Sequence, residues 1–278
     1  MKKTLLVLAL LQTLTAYAKD PLPEKITGLK MPESVVQAKD GSIYISEIGE
    51  RDKNGDGQIS KVDKKGNVTI FAKGLDDPKG LTLIGDKLYV ADKTRIVEIK
   101  KDGTWQVYAA ATAFPKMPVF LNDLEADKLG NLYVSDSNDL KSGGSIYKIA
   151  KGGTPVTLVV DSKNPDIQAP NGLLFEGRNN LLAIDFESGI LHRVNLSTGA
   201  TTKLAEGFGG GDGLVKTKTG KIIISSWKTG TINEVVAGKA RVIKEGYKSA
   251  ADIALSTDGT FLMVPDMVAG ELDFIEIK

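Results

Sequence analysis

Apolar residues along this chain fall in short runs rich in Val, Ile, Leu and Tyr, separated by Gly, Asn and Asp turns. Ile43–Glu47 (IYISE), 88–92 (LYVAD) and Leu132–Asp136 (LYVSD) share one pattern, and 181–185, 222–226 and 261–264 are degenerate copies of it. β-Branched and aromatic residues in such runs predict strands packed on both faces. A turn precedes each, as at Asp40-Gly41, Gly130-Asn131 and Asp258-Gly259. A third strand follows, as at 58–62, 95–99 and 145–149, and another glycine turn leads to a more polar fourth strand such as 67–72 or 240–244.

Ahead of the strand pairs stand Glu33, Lys79, Asn122, Asn171, Asp212 and Asp252, at steps of 40 to 49 residues. A repeat of this length with four strands per unit marks a propeller, whose blades stack radially around one axis. The chain is therefore predicted to be all-β, a six-bladed β-propeller with four-stranded blades. The sixth unit stops at Lys278 after its third strand. An open strand edge invites intermolecular pairing, so the stretch 25–29 is predicted to close the ring as the outer strand of the last blade. No amphipathic helix is expected.

Equivalent positions in successive blades form a ring. If the six polar residues open the innermost strands, five oxygen-bearing groups and one lysine meet at the mouth of the central channel. Calcium takes six to eight oxygen ligands, carboxylate, carbonyl and water among them. Glu33, Asn122, Asn171 and Asp212 supply two carboxylates and two amides, leaving positions for water or substrate. The alternative is that these residues only satisfy turn backbone groups. Lys79, an ammonium near a cation, is expected either to pair with Asp123 or Asp252 or to bind an anionic part of a substrate.

Composition narrows the setting. The 278 residues are 41% hydrophobic and 26% charged, too polar for a multispan membrane protein. Thirty-six basic against 35 acidic residues give a net charge of +1, with no global field to recruit nucleic acid or an anionic membrane. Lys2 and Lys3, the apolar run 5–11 and the Ala16-Tyr17-Ala18 pattern read as a cleavable secretory signal over 1–18, leaving one domain over 19–278. The expected location is the periplasm or the medium, without membrane insertion after cleavage. With no cysteine there is neither a disulfide framework nor a thiol nucleophile.

The segments 32–36 (PESVV), 121–124 (LNDL), 170–173 (PNGL) and 211–214 (GDGL) resemble the metal-binding strand starts of the senescence marker protein, gluconolactonase and luciferin-regenerating enzyme family. The resemblance implies a six-bladed propeller holding one divalent cation, most often calcium or zinc, and frequently lactone hydrolysis. By motif, Glu33, Asn171 and Asp212 match the direct ligands, and Asn122 matches the asparagine that faces substrate or supplements coordination. Phe120 stands where sugar lactonases of the family commonly carry an arginine, a departure that bears on the substrate. Related paraoxonases use a histidine pair, whereas this chain has one histidine, His192. No G-x-S-x-G elbow supports a serine hydrolase.

The expected activity is hydrolysis of a lactone or related ester, the cation polarising the carbonyl. Asp212 is the first choice as general base and Asp252 the second, with Asn122, Lys79 and Phe120 against the substrate. The cation is calcium, with zinc or magnesium as alternatives. The rival reading is a non-enzymatic secreted propeller that binds a small ligand or protein and keeps the metal for structure. A second calcium is expected in the loop from Asp52, where Asp52, Asn54, Asp56, Gln58 and Asp63 stand at EF-hand positions one, three, five, seven and twelve. Phe114, Trp227 and Met117 are further candidates for an apolar channel mouth.

Overall fold

The structure, a computed structural model, describes residues 24–177 and 179–277; the expected signal segment 1–18 lies outside them. Among the described residues the chain folds into antiparallel strands, with a single short 3-10 turn at Ala111–Ala113. No described helix is long and apolar enough to cross a membrane.

Each repeat becomes a four-stranded meander. The first runs through Pro32–Gln37, Ile43–Glu47, Gly57–Val62 and Val68–Leu75, paired in that order. The second and third open on Pro78–Ile84 and Leu121–Ala126 and have the same order. The fourth and fifth, opening on Pro170–Gly177 and Gly211–Lys216, join into an eight-stranded sheet through one parallel pair, Glu206 with Lys239. In the last unit Lys25–Thr27 pairs antiparallel with Glu271–Glu276, Ile26 opposite Leu272, as the outermost strand. The strand donated from the N-terminal side thus lies where the repeat count required it.

The opening strands pack side by side in order, and the last, Ala254–Leu255, returns to the first, Pro32–Gln37. The core follows the same circle. One apolar cluster sits between each unit and the next, and the cluster of Ile26, Val35, Ile45, Met263 and Leu272 joins the last unit to the first. This explains why the second strands are apolar on both faces: each sheet is sandwiched between two neighbours. Phe114 belongs to such an inter-unit cluster, packed edge-on against Tyr147, while Met117 is exposed, so neither belongs to the channel mouth.

Candidate functional site

Five of the opening strands carry the same irregularity. Pairing with the second strand is regular at the first residue, skips two, and resumes: Pro32 to Val35, Pro78 to Leu81, Leu121 to Leu124, Pro170 to Leu173 and Gly211 to Leu214. A bulge twists the strand locally and re-aims a side chain. The skipped pairs begin with Glu33, Lys79, Asn122, Asn171 and Asp212, so the bulge is the device that turns the ring residues away from the sheet. Three glycines inside these bulges, Gly80, Gly172 and Gly213, permit the close approach of neighbouring strands. A Cβ on Gly172 would stand 2.2 Å from the Asp212 carbonyl oxygen, and one on Gly80 2.6 Å from that of Asn122.

A bulge leaves a backbone N–H without its ladder partner, and hydroxyls take it up. Ser46, Ser135 and Ser225 accept from the N–H groups of Ser34, Asp123 and Gly213, each at 2.9 Å. The acid that closes the second strand holds the incoming loop. Asp92 accepts from the N–H groups of Asp76 and Asp77, Asp136 from that of Phe120, Asp185 from those of Gln168 and Ala169, and Asp266 from those of Lys248 and Ser249. Sequence reasoning missed these positioning residues, although the signal was present: an acid closes the LYVAD and LYVSD strands at the same place in the repeat.

Glu33, Lys79, Asn122, Asn171, Asp212 and Phe120 come together around one cavity of ≈250 Å³, with Trp227 beside them. The first five are buried. Glu33 Oε2, Asn171 Oδ1 and Asp212 Oδ1 are buried without any hydrogen-bond partner. Leaving such oxygens unpaired is costly, and three on one cavity form a donor set for an oxygen-seeking cation. The Asn122 amide nitrogen donates to Ser137 Oγ at 3.0 Å, so coordination by this residue would come from its carbonyl oxygen. Among the described residues no group of three or more His, Cys, Asp or Glu is arranged to hold a metal; the present set has two carboxylates and reaches four members only through its amides.

Burial pushes the Glu33 carboxyl well above the usual carboxylate range, and the charges of Asp212 and Asp252 add to this. Burial likewise raises Asp212, with Asp123 adding, while the Asn171 amide opposes the shift. Asp123, raised by burial to about 6, is restrained by the N–H groups of Leu173 and Leu124. These groups form a buried acidic cluster that would give up its protons when a cation binds.

Lys79 departs from its expected pairing. Its ammonium donates to Asp77 Oδ2 at 2.9 Å and to the Asp77 carbonyl at 3.2 Å, and lies 4.2 Å from the Phe120 ring centroid. It pairs with neither Asp123 nor Asp252, because the loop before its own strand supplies a nearer carboxylate. Asp252 does not line the cavity. It precedes the short strand Ala254–Leu255, and its Oδ2 accepts from Ser34 Oγ at 2.5 Å.

The loop from Asp52 is split. Asp52 lines the cavity, and Asn54 Oδ1 accepts from the Lys93 ammonium at 2.6 Å. Asp56 Oδ2 accepts from the Glu50 N–H, while its Oδ1 is buried and unpartnered. Gln58 donates to Glu47, and Asp63 accepts from the N–H groups of Lys65 and Asn67 at the next turn. The strand from Gly57 carries Asp63 away where an EF-hand helix would return it. His192 is buried in Ile190–Asn195 with neither ring nitrogen partnered.

Residues 81–257 match the family model described as the SMP-30/gluconolactonase/LRE-like region. No curated protein matches the chain in sequence. Among solved structures, regucalcin from Agrobacterium tumefaciens, a calcium-binding protein, superposes with a TM-score of 0.74 at 20% identity, covering 92% of this chain and 94% of that one. A gluconolactonase from Xanthomonas campestris gives 0.72 at 16% identity over 90% and 89% of the two chains. A luciferin-regenerating enzyme gives 0.70 at 16% identity over 87% and 85%. At these identities the likeness is one of fold, a propeller-like all-β ring.

Proposed function

Because the chain belongs to the SMP-30/gluconolactonase/LRE-like family, we propose that it is a six-bladed propeller that hydrolyses a lactone or related ester at its central channel with the help of one divalent cation. The observation that carries this reading is the set of three orphaned buried oxygens, on Glu33, Asn171 and Asp212, around a single cavity. Those three residues would hold the cation, with Asn122 beside them. Calcium suits an all-oxygen donor set of this kind. When bound, the cation supplies Lewis-acid polarisation of the carbonyl and stabilises the charge that develops on its oxygen.

The chain's own groups do the rest. Asp212, which lines the cavity, is the group that takes the proton from the attacking water. Asp252 already accepts from Ser34 and does not line the cavity, so it acts on the site through its charge and not by meeting the substrate. Lys79, held by Asp77, fixes the Phe120 ring from one face. The Asp52 loop retains Asp56 Oδ1 as a free oxygen for a second calcium, which would have to displace Lys93 from Asn54. The signal expected over 1–18 makes the site of action extracytoplasmic.

The test is hydrolysis of a lactone panel by the purified protein with added calcium or with chelator, alongside Asp212→Ala. The expected result is cation-dependent turnover that falls at least about 10²-fold in the variant. A folded protein that binds the cation through Asp212 yet turns over no lactone would instead be the non-enzymatic binding propeller.

A further inference from the structure

The cavity lining has two chemistries. Glu33, Asn122, Asn171 and Asp212 supply oxygen and amide groups, the exposed Arg51 and Asp52 also line it, and Ile48, Phe120, Leu140, Phe186, Trp227 and Met267 make an apolar wall. No serine, threonine, tyrosine or histidine lines it among the described residues. The Lys79 ammonium is committed to Asp77, and the Asn122 amide nitrogen to Ser137. A polyhydroxylated ring laid against the apolar wall would bury hydroxyls there without partners, and each unpaired group costs the full desolvation penalty.

The apolar wall is built with care for its polar atoms. Trp227 Nε1 donates to Met267 Sδ at 3.4 Å, so its one polar atom is satisfied within the wall. The Phe186 ring lies 6.4 Å from that of Trp227, and the exposed Arg51 guanidinium rests 5.6 Å from the indole centroid with an N–H on the same Met267 sulfur. Ile48, Trp227 and Met267 come from three different units and meet as a separate apolar cluster. Such a surface recovers its exposure to water only by covering an apolar partner.

We propose that this wall is a subsite for an alkyl or aryl substituent, so that the substrate is a lactone or ester bearing an apolar side group rather than a sugar lactone. The inference rests on the hydrolase reading above for the reaction, but not for the binding. A cavity of ≈250 Å³ limits the substituent to a short or medium chain.

The experiment is kcat/KM for a series of δ-lactones with ring substituents from methyl to octyl, against D-glucono-δ-lactone. Each methylene that enters the wall should raise kcat/KM about fourfold, equivalent to about 0.8 kcal/mol, until the cavity is full. Trp227→Ala should flatten that slope, and Trp227→Leu, which keeps an apolar side chain, should retain part of it. A flat series, or a preference for the polyhydroxylated lactone, overturns the proposal. Binding is read separately in a Trp105→Phe protein, where Trp227 is the one remaining tryptophan. If no lactone is turned over, saturable quenching of Trp227 by the alkyl lactones but not by the polyhydroxylated one upholds the subsite and removes only the hydrolase reading. Absence of both turnover and quenching overturns the subsite as well.

Discussion

Glu33 and Asp212 are carboxylates placed where their charge is penalised. Burial raises both well above the ordinary range, and each lies close to another acid. Without a cation the folded protein holds protons that the unfolded chain releases at ordinary carboxylate pH, so its stability is greatest below that range and declines as pH rises through the raised values. Bound cation should reverse the trend, since binding displaces those protons. Thermal unfolding across pH 5–8, with calcium and with chelator, checks this: the calcium-dependent gain in Tm should grow with pH, and Glu33→Gln should weaken the cation while relieving the loss in chelator. His192 acts in the opposite sense. Burial holds its pKa below the ordinary imidazole value of about 6.5, although Asp185 and Asp166 pull upward. The unfolded chain therefore binds more protons, and stability is lost as pH falls below that value. His192→Leu should remove that acid sensitivity, measured by urea unfolding at about pH 7 and about pH 5.

At the scale of the element, the opening strand is a bulged strand whose neighbour is close. Gly172 is the clearest case, because any Cβ there meets the Asp212 carbonyl in the next unit. Gly172→Ala should cost about 1–3 kcal/mol through overpacking and, by shifting Asp212, weaken cation binding at least about tenfold. Unfolding midpoints together with a calcium titration separate the two effects. An unchanged cation affinity would show that Asp212 keeps its place by its own contacts. The polar strand starts, the turns and the apolar second strands were legible in sequence because each is a local pattern repeated in register. The bulge was not, since it is a property of pairing between two strands. Nor was the role of Asp136, whose acceptance from the Phe120 N–H is visible only once the incoming loop lies across the strand end.

The whole molecule closes by a long-range pairing. Lys25–Thr27 covers the edge of Glu271–Glu276, and Ile26, 5% exposed, packs with Leu272 and Met263 in the cluster that joins last unit to first. Ile26→Ala should lower stability by about 2–5 kcal/mol, read as a shift in the urea midpoint. Ile26→Pro, whose ring fixes φ and carries no N–H, should loosen this strand and produce concentration-dependent association, because it leaves a free strand edge. A monomeric Ile26→Pro protein with unaltered stability would mean that the ring is held by the inter-unit clusters alone.

By itself the sequence determined the all-β class, the repeated four-strand unit, the strand that returns to the last unit and the polar positions that share a cavity. Each of these follows from periodicity, which the chain carries locally. Only the tertiary structure decided which partner each polar group meets. Lys79 takes Asp77 rather than Asp123 or Asp252, since a carboxylate two residues away on the entering loop is nearer than any across the channel. Asp252 is held by Ser34 and does not line the cavity, and Asp63 leaves the Asp52 loop because a strand, not a helix, follows it. The apolar mouth was decided in the same way. Ile48, Trp227 and Met267 are far apart in the chain, and their meeting depends on ring closure, which brings the loops of separate units to one end of the channel.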